Sequence, residues 1–139
     1  MTAAHDHAGK PDLTRNQTLV FDTLEDADTP MTAYNILDRL SGEGLRAPLQ
    51  VYRALDKLLD LGMVHRLESL NAFVACRHPG CDGHSTVAFA ICEKCGKVSE
   101  ITDEALVASI RSLTAGADFV PHKTTVEIRG LCSQCQAAA

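Results

Sequence analysis

The 139-residue chain has no tryptophan, only two tyrosines and four phenylalanines. So few aromatic rings argue against a platform on which unpaired bases stack. Missing too is any apolar run near the roughly 18 residues that a membrane-spanning helix needs. Met1–Lys10 is polar and has no stretch that would serve as a secretory signal, so a cytoplasmic protein is expected, with no membrane partner. Basic charge is scarce. There are 13 Lys+Arg against 18 Asp+Glu, a net charge of −5. Residues 1–77 hold 8 against 11 and the remainder 5 against 7, so neither half has a general attraction for phosphates. Any nucleic-acid contact must come from a local basic face. The sequence shows no nucleophile elbow, zinc-hydrolase helix motif or phosphate loop, so neither an enzyme nor a small-molecule substrate is expected. No repeat of solenoid length is visible.

What the chain does have is six cysteines. A reducing cytosol makes disulfides a poor use for them. Four form two Cys-x-x-Cys pairs, Cys92/Cys95 and Cys132/Cys135, separated by 36 residues. Each pair adjoins a glycine, Gly96 or Gly130, as a thiolate-bearing turn requires. Four thiolates in two such turns close a tetrahedron around zinc and leave no open position for chemistry. Two independent redox or buried pairs are the alternative, but neither pair lies in a thioredoxin-like strand–helix–strand context.

Hydrophobic spacing organises the rest. Residues 1–12, with His5 and His7, read as a loose tail. Thr14-x-x-Gln17 has the form of a capping box, and Val20, Phe21, Leu24 and Ala27 keep one helical face behind it. After the break at Asp28-Thr29-Pro30, Thr32 is the N-cap expected for a helix carrying Ala33, Ile36, Leu37 and Leu40. Ser41–Gly44 is a turn. From Pro48 a third helix turns Val51, Leu55, Leu58 and Leu59 inward and Gln50, Arg53, Lys57 and Asp60 outward, with Gly62 at its C-terminal cap. Two β-prone runs follow, Met63–Leu67 and Ala72–Cys76. Three helices and a hairpin make a winged helix-turn-helix.

Arg77–Gly83, with Pro79, Gly80 and Gly83, reads as a linker. Beyond it come a strand in which Val87, Phe89 and Ile91 alternate with Ala88 and Ala90, and a short strand at Lys97–Ile101. A helix from a Thr102 cap to Gly116 carries Leu106, Ile110 and Leu113, and Thr124–Arg129 forms the last strand. The expected fold is α+β, with a tail at 1–12, a winged helix-turn-helix at 13–77, a hinge at 78–83, and a small α/β domain at 84–139. The four-cysteine zinc site staples that last domain.

Four further residues hold potential ligands: His65, Cys76, His84 and Glu100. Taken singly each has an ordinary explanation, as a solvated hairpin histidine, a small core cysteine, a loop histidine and a strand carboxylate. On the third helix, Arg53 can donate a bidentate pair to guanine, while Lys57 and Arg46 suit phosphates. Arg66 in the wing is a further candidate for the backbone or minor groove.

Several stretches together resemble the ferric uptake regulator family. They are Val51-Tyr52-Arg53-Ala54-Leu55, Leu59-x-x-Gly62, His65-x-x-Glu68-Ser69, Cys92-x-x-Cys95-Gly96 and Gly130-x-Cys132-x-x-Cys135. The likeness runs from about Thr14 to Cys135. In the family's zinc-sensing branch the regulatory metal is held by His, Cys, His and Glu, roles that fall here on His65, Cys76, His84 and Glu100. The histidine-rich cluster of the iron- and manganese-sensing branches is missing, and Cys81-Asp82-Gly83-His84-Ser85 stands there instead. A thiolate, two imidazoles and a carboxylate suit zinc, in keeping with that branch.

The resemblance implies a zinc-responsive repressor with two zinc ions per protomer. It would bind inverted-repeat operator DNA as a homodimer through the 84–139 dimerisation domain and control zinc uptake genes. It also implies a DNA contact for Tyr34, for which the alternative is a half-buried packing role. The family's usual threonine before Val51 is Gln50 here, a departure that bears on base or phosphate contacts. His78, Cys81 and His122 are extra potential ligands, and an exposed thiol or a surface histidine without a role is the alternative for each. Two rival readings remain: a regulator of the same family sensing another metal, and a thiol-redox switch built on Cys76 and Cys81.

Overall fold

A computed structural model of the protein describes residues 12–76, 86–101 and 103–138. The chain forms two compact units. One comprises residues 12–27 and 31–76, and the other 28–30 together with the described residues beyond 85. The break at 28–30 therefore groups with the second unit, although it falls between the first two helices in sequence.

The first unit is built from α1 (Arg15–Asp26), α2 (Ala33–Leu40), α3 (Pro48–Asp60), β1 (Val64–Leu67) and β2 (Ala72–Ala75). Local chemistry sets the helix starts. Thr14 and Gln17 form the capping box, with the Gln17 N–H donating to Thr14 Oγ1 at 3.2 Å and the Thr14 N–H to Gln17 Oε1 at 3.0 Å. Thr32 and Asn35 repeat the device at α2, a second box that the sequence hides because asparagine stands where glutamine or glutamate is usual. Ser41–Glu43 forms a single 3-10 turn, closed by Gly44 at φ +102°. Arg15 ties α1 to this turn by donating to the Glu43 carbonyl at 2.8 Å. Gly62 takes φ +73° just past α3, a conformation that costs glycine least.

The expected apolar faces meet in one core. Val20, Leu24, Ile36, Leu40, Val51, Leu55 and Leu58 are buried with Met31, Leu45 and Phe73, while Leu37 and Leu59 pack partly buried against them. The hairpin pairs antiparallel, with His65 opposite Val74 and Leu67 opposite Ala72. Met31 bridges to Phe73 through both backbone hydrogen bonds, which anchors the hairpin to the segment before α2. Three helices and this hairpin form the winged helix-turn-helix.

The second unit contains β3 (Thr86–Cys92), β4 (Val98–Ile101), α4 (Glu104–Gly116), β5 (Thr124–Gly130) and α5 (Ser133–Ala138). Its sheet has the order β4-β3-β5, antiparallel between β3 and β4 and parallel between β3 and β5. Parallel pairing needs a long crossover, which the segment containing α4 supplies. Ala88, Phe89, Ile91 and Cys92 are all buried. The alternation read from the sequence therefore does not sort this strand into an inner and an outer face. Asp103 is the N-cap of α4, its carboxylate accepting from the Ala105 N–H at 2.9 Å. The expected cap Thr102, the hinge 78–83, the tail 1–11 and residues His78, Cys81 and His84 lie outside the described residues. The sequence reading placed no helix at Ser133–Ala138, and α5 is a finding of the structure. No helix among the described residues is long and apolar enough to cross a membrane.

Candidate metal centre

Parallel pairing of β3 with β5 sets Cys92 opposite Gly130, so both Cys-x-x-Cys turns emerge at the same end of the sheet. The first turn folds back on itself: the Gly96 N–H donates to the Cys92 carbonyl at 3.0 Å, and the Cys92 N–H to Lys97 at 2.9 Å. Gly96 has φ +81°, which a Cβ would strain. Glu93 N–H donates to the Gly130 carbonyl at 2.8 Å and clamps the first turn to the end of β5. Cys132 lies just before α5 and Cys135 within it, with Gln136 N–H bonded to the Cys132 carbonyl at 2.9 Å.

The four sulfurs lie within 4.8 Å of one another. Bonds of about 2.3 Å from zinc to four tetrahedral thiolates place the sulfurs about 3.8 Å apart. Cys95 Sγ and Cys132 Sγ are 3.8 Å apart. The donor set and its dimensions therefore fit zinc. Cys92 is buried, Cys132 and Cys135 half-buried and Cys95 exposed, so the site is closed by protein on one side only. None of these four, nor Cys76, is in a disulfide.

The thiols are electrostatically unequal. Cys92 is lowered to about 5, chiefly because the Cys95 N–H points at its sulfur from 3.5 Å, with the Cys132 backbone adding to this against the effect of burial. Cys132 is also lowered, first by the Cys135 backbone N–H. Cys135 is pushed up to about 12, since it is the proton donor to the Cys132 and Cys92 side chains. Four neighbouring thiols cannot all ionise without a cation between them. A divalent ion removes that repulsion and displaces the remaining protons.

In the first unit the hairpin register places His65 and Cys76 on one face. His65 pairs with Val74, and Cys76 lies two residues further along, its N–H donating to the Met63 carbonyl at 2.8 Å. Their ligand atoms lie within 4.8 Å of each other, with His65 buried and Cys76 half-buried. Glu100 stands half-buried on β4 of the second unit, paired with Phe89.

The outer face of α3 presents Arg53 and Lys57 to solvent, and Arg46 is exposed in the turn before it. Tyr34 on α2 is 62% exposed and not half-buried. Leu49, at the start of α3, is 57% exposed, an apolar position that the sequence reading did not single out. Gln50 differs from these: its oxygen is occupied by the backbone of Arg46 and Ala47. Arg66 turns back on its own hairpin, donating to Asn71 Oδ1 at 3.0 Å with Glu68 at 3.8 Å. His122 is exposed beside α4.

The sequence model of the ferric uptake regulator family matches residues 12–129. The chain belongs to the ferric uptake regulator family. Within this family it is similar to the zinc uptake regulation protein of Escherichia coli (strain K12), 38% identical over 109 residues. That match covers 78% of this chain but only 63% of the relative's own length. Among solved structures, holo XcZur is 40% identical, covering 94% of this chain and 89% of that one with a TM-score of 0.82. A zinc uptake regulator complexed with zinc and DNA is 32% identical, covering 99% and 92%, with a TM-score of 0.84.

Proposed function

We propose that the protein is a zinc-responsive repressor of zinc uptake genes, working in the cytoplasm as a homodimer on inverted-repeat operator DNA. The observation that carries this reading is the pairing of His65 with Cys76 on one face of the hairpin in the winged unit. A thiolate beside an imidazole is a soft-to-borderline donor pair that suits zinc better than iron(II) or manganese(II). The likeness to a regulator complexed with zinc and DNA supports the same conclusion. His84 and Glu100 complete the proposed regulatory site. Together with the four-cysteine site this gives two zinc ions per protomer.

Binding at this proposed set would make zinc the bias of a two-state element. Zinc and DNA then strengthen each other's binding. Arg53 reads a base edge, Lys57 and Arg46 hold phosphates and Tyr34 supports them from α2. Dimerisation belongs to the second unit. No residue of α4 is buried, Leu113 is 73% and Val120 81% exposed, and β5 has an edge with no strand beside it among the described residues. An apolar face of this kind calls for a partner.

The test is selection of duplexes from a randomised pool by the full chain under zinc, iron(II) or manganese(II), with metal counted per chain. Zinc should give the strongest selection, at two ions per chain, and an inverted repeat. Better selection under iron or manganese would overturn zinc as the sensed metal.

A further inference from the structure

One side chain, that of Gln50, accepts from two successive backbone N–H groups in the turn that leads into α3. Ala47 occupies the N-cap position with extended backbone, φ −127° and ψ 142°, and makes no side-chain bond there. Alanine has no acceptor for the N–H groups that a helix start leaves over. Gln50, three residues on, reaches back instead. Its Oε1 accepts from the Arg46 N–H at 2.8 Å and the Ala47 N–H at 3.1 Å, while its own N–H donates to the Ala47 carbonyl at 3.0 Å.

Two N–H donors converging on one atom identify that atom as the carbonyl oxygen, because the amide NH2 has nothing with which to accept. Both lone pairs of Oε1 are then in use. Glutamine reads adenine in the major groove with a bidentate pair, its NH2 donating to N7 and its oxygen accepting from N6. Here Gln50 lacks the second half of that pair. The turn it holds carries Arg46, and the helix it starts carries Arg53 one turn further on, both exposed.

We infer that Gln50 is a positioning residue: it fixes the turn before α3, and through it the placing of Arg46 and Arg53, and does not read adenine. The turn-holding half stands on the structure alone. The effect on base selection rests on the proposed DNA-binding function.

Two variants separate the roles in the full zinc-loaded chain. Gln50→Met keeps the length and removes the acceptor, whereas Gln50→Glu keeps an acceptor and removes the NH2. Amide hydrogen exchange at Arg46 and Ala47 should quicken roughly two- to tenfold in Gln50→Met, the effect of one ordinary hydrogen bond each. Exchange should stay at the wild-type rate in Gln50→Glu. Unchanged exchange in Gln50→Met would overturn the turn-holding role. In duplex selection, Gln50→Met should lower the ratio of selected over random affinity and leave the preferred base at every position unchanged. Loss of an adenine preference at one position would make Gln50 a base reader after all. A ratio equal to wild type despite faster exchange would reduce its role to local stability and overturn the positioning claim. A wild-type chain that preferred no duplex would overturn the DNA-binding function itself, and the exchange measurement would still decide whether Gln50 holds the turn.

Discussion

Withdrawing zinc from the four-cysteine site should unfold the second unit and leave the winged unit folded. Among the described residues the second unit buries only Ala88, Phe89, Ile91 and Cys92, whereas the winged unit buries a core of more than a dozen apolar side chains. Full burial of a side chain such as Phe89 or Ile91 contributes about 1.5–3 kcal/mol. Structural zinc contributes about 10–16 kcal/mol of apparent folding free energy in zinc-finger peptides, so the metal is the larger stabilising element. Cys135→Ser removes one corner of the tetrahedron without touching the core. The assay is circular dichroism during a chelator titration, with gel filtration and metal counting for the variant. Loss of signal equivalent to the second unit is expected, with a broadened or aggregated elution. A Cys135→Ser chain with full zinc content and an unchanged elution volume would show that the ligands are misidentified.

Other outcomes can be read independently. Zinc uptake by the metal-free chain at pH 7 should release about four protons, because without zinc the second unit is unfolded and its four thiols are protonated. Calorimetry in buffers of different ionisation enthalpy measures this, and release of about two or fewer would contradict it. Zinc retention should accordingly fall as pH drops, because protons compete with zinc for all four sulfurs. Arg53→Ala should weaken selected-duplex binding by about 1–3 kcal/mol while leaving zinc content unchanged. An equal loss on random DNA would make Arg53 a phosphate contact. Val120→Glu together with Leu113→Glu, placed on the exposed apolar face of the second unit, should yield monomers by light scattering. A persistent dimer would move the interface elsewhere.

The winged unit was legible because its signals are local. Thr14 with Gln17, Thr32, Pro48 and Gly62 mark ends, and a period near 3.6 marks the faces that Val20, Ile36, Val51 and Leu55 bury. The four-cysteine site was legible from spacing and glycines alone, since the sheet pairing that unites the two turns follows from having a strand before each. Less local features escaped. Strand β3 buries residues of both faces, Ala88 with Phe89 and Ile91 with Cys92, and what covers each face of a strand is not written in its own periodicity. The short helix α5 holds too few residues to show a period. Gln50 was read as an outward-facing residue of α3 with a bearing on DNA contacts, yet its oxygen turns back to the chain. The signal was present, since proline at the first helical position with glutamine at the third is a helix-start signature.

The most direct test of the central claim is a zinc titration of duplex binding by the wild-type chain and by Cys76→Ser, with metal counted in parallel. Linkage requires that zinc and DNA strengthen each other equally, with a coupling of about 1–3 kcal/mol, or roughly 5–150-fold. Serine is a poor zinc ligand and leaves Cys92, Cys95, Cys132 and Cys135 intact. The account predicts a folded Cys76→Ser dimer with one zinc per chain instead of two and a duplex affinity that no longer responds to zinc. A Cys76→Ser chain that kept the wild-type zinc response would contradict the regulatory site at its first ligand.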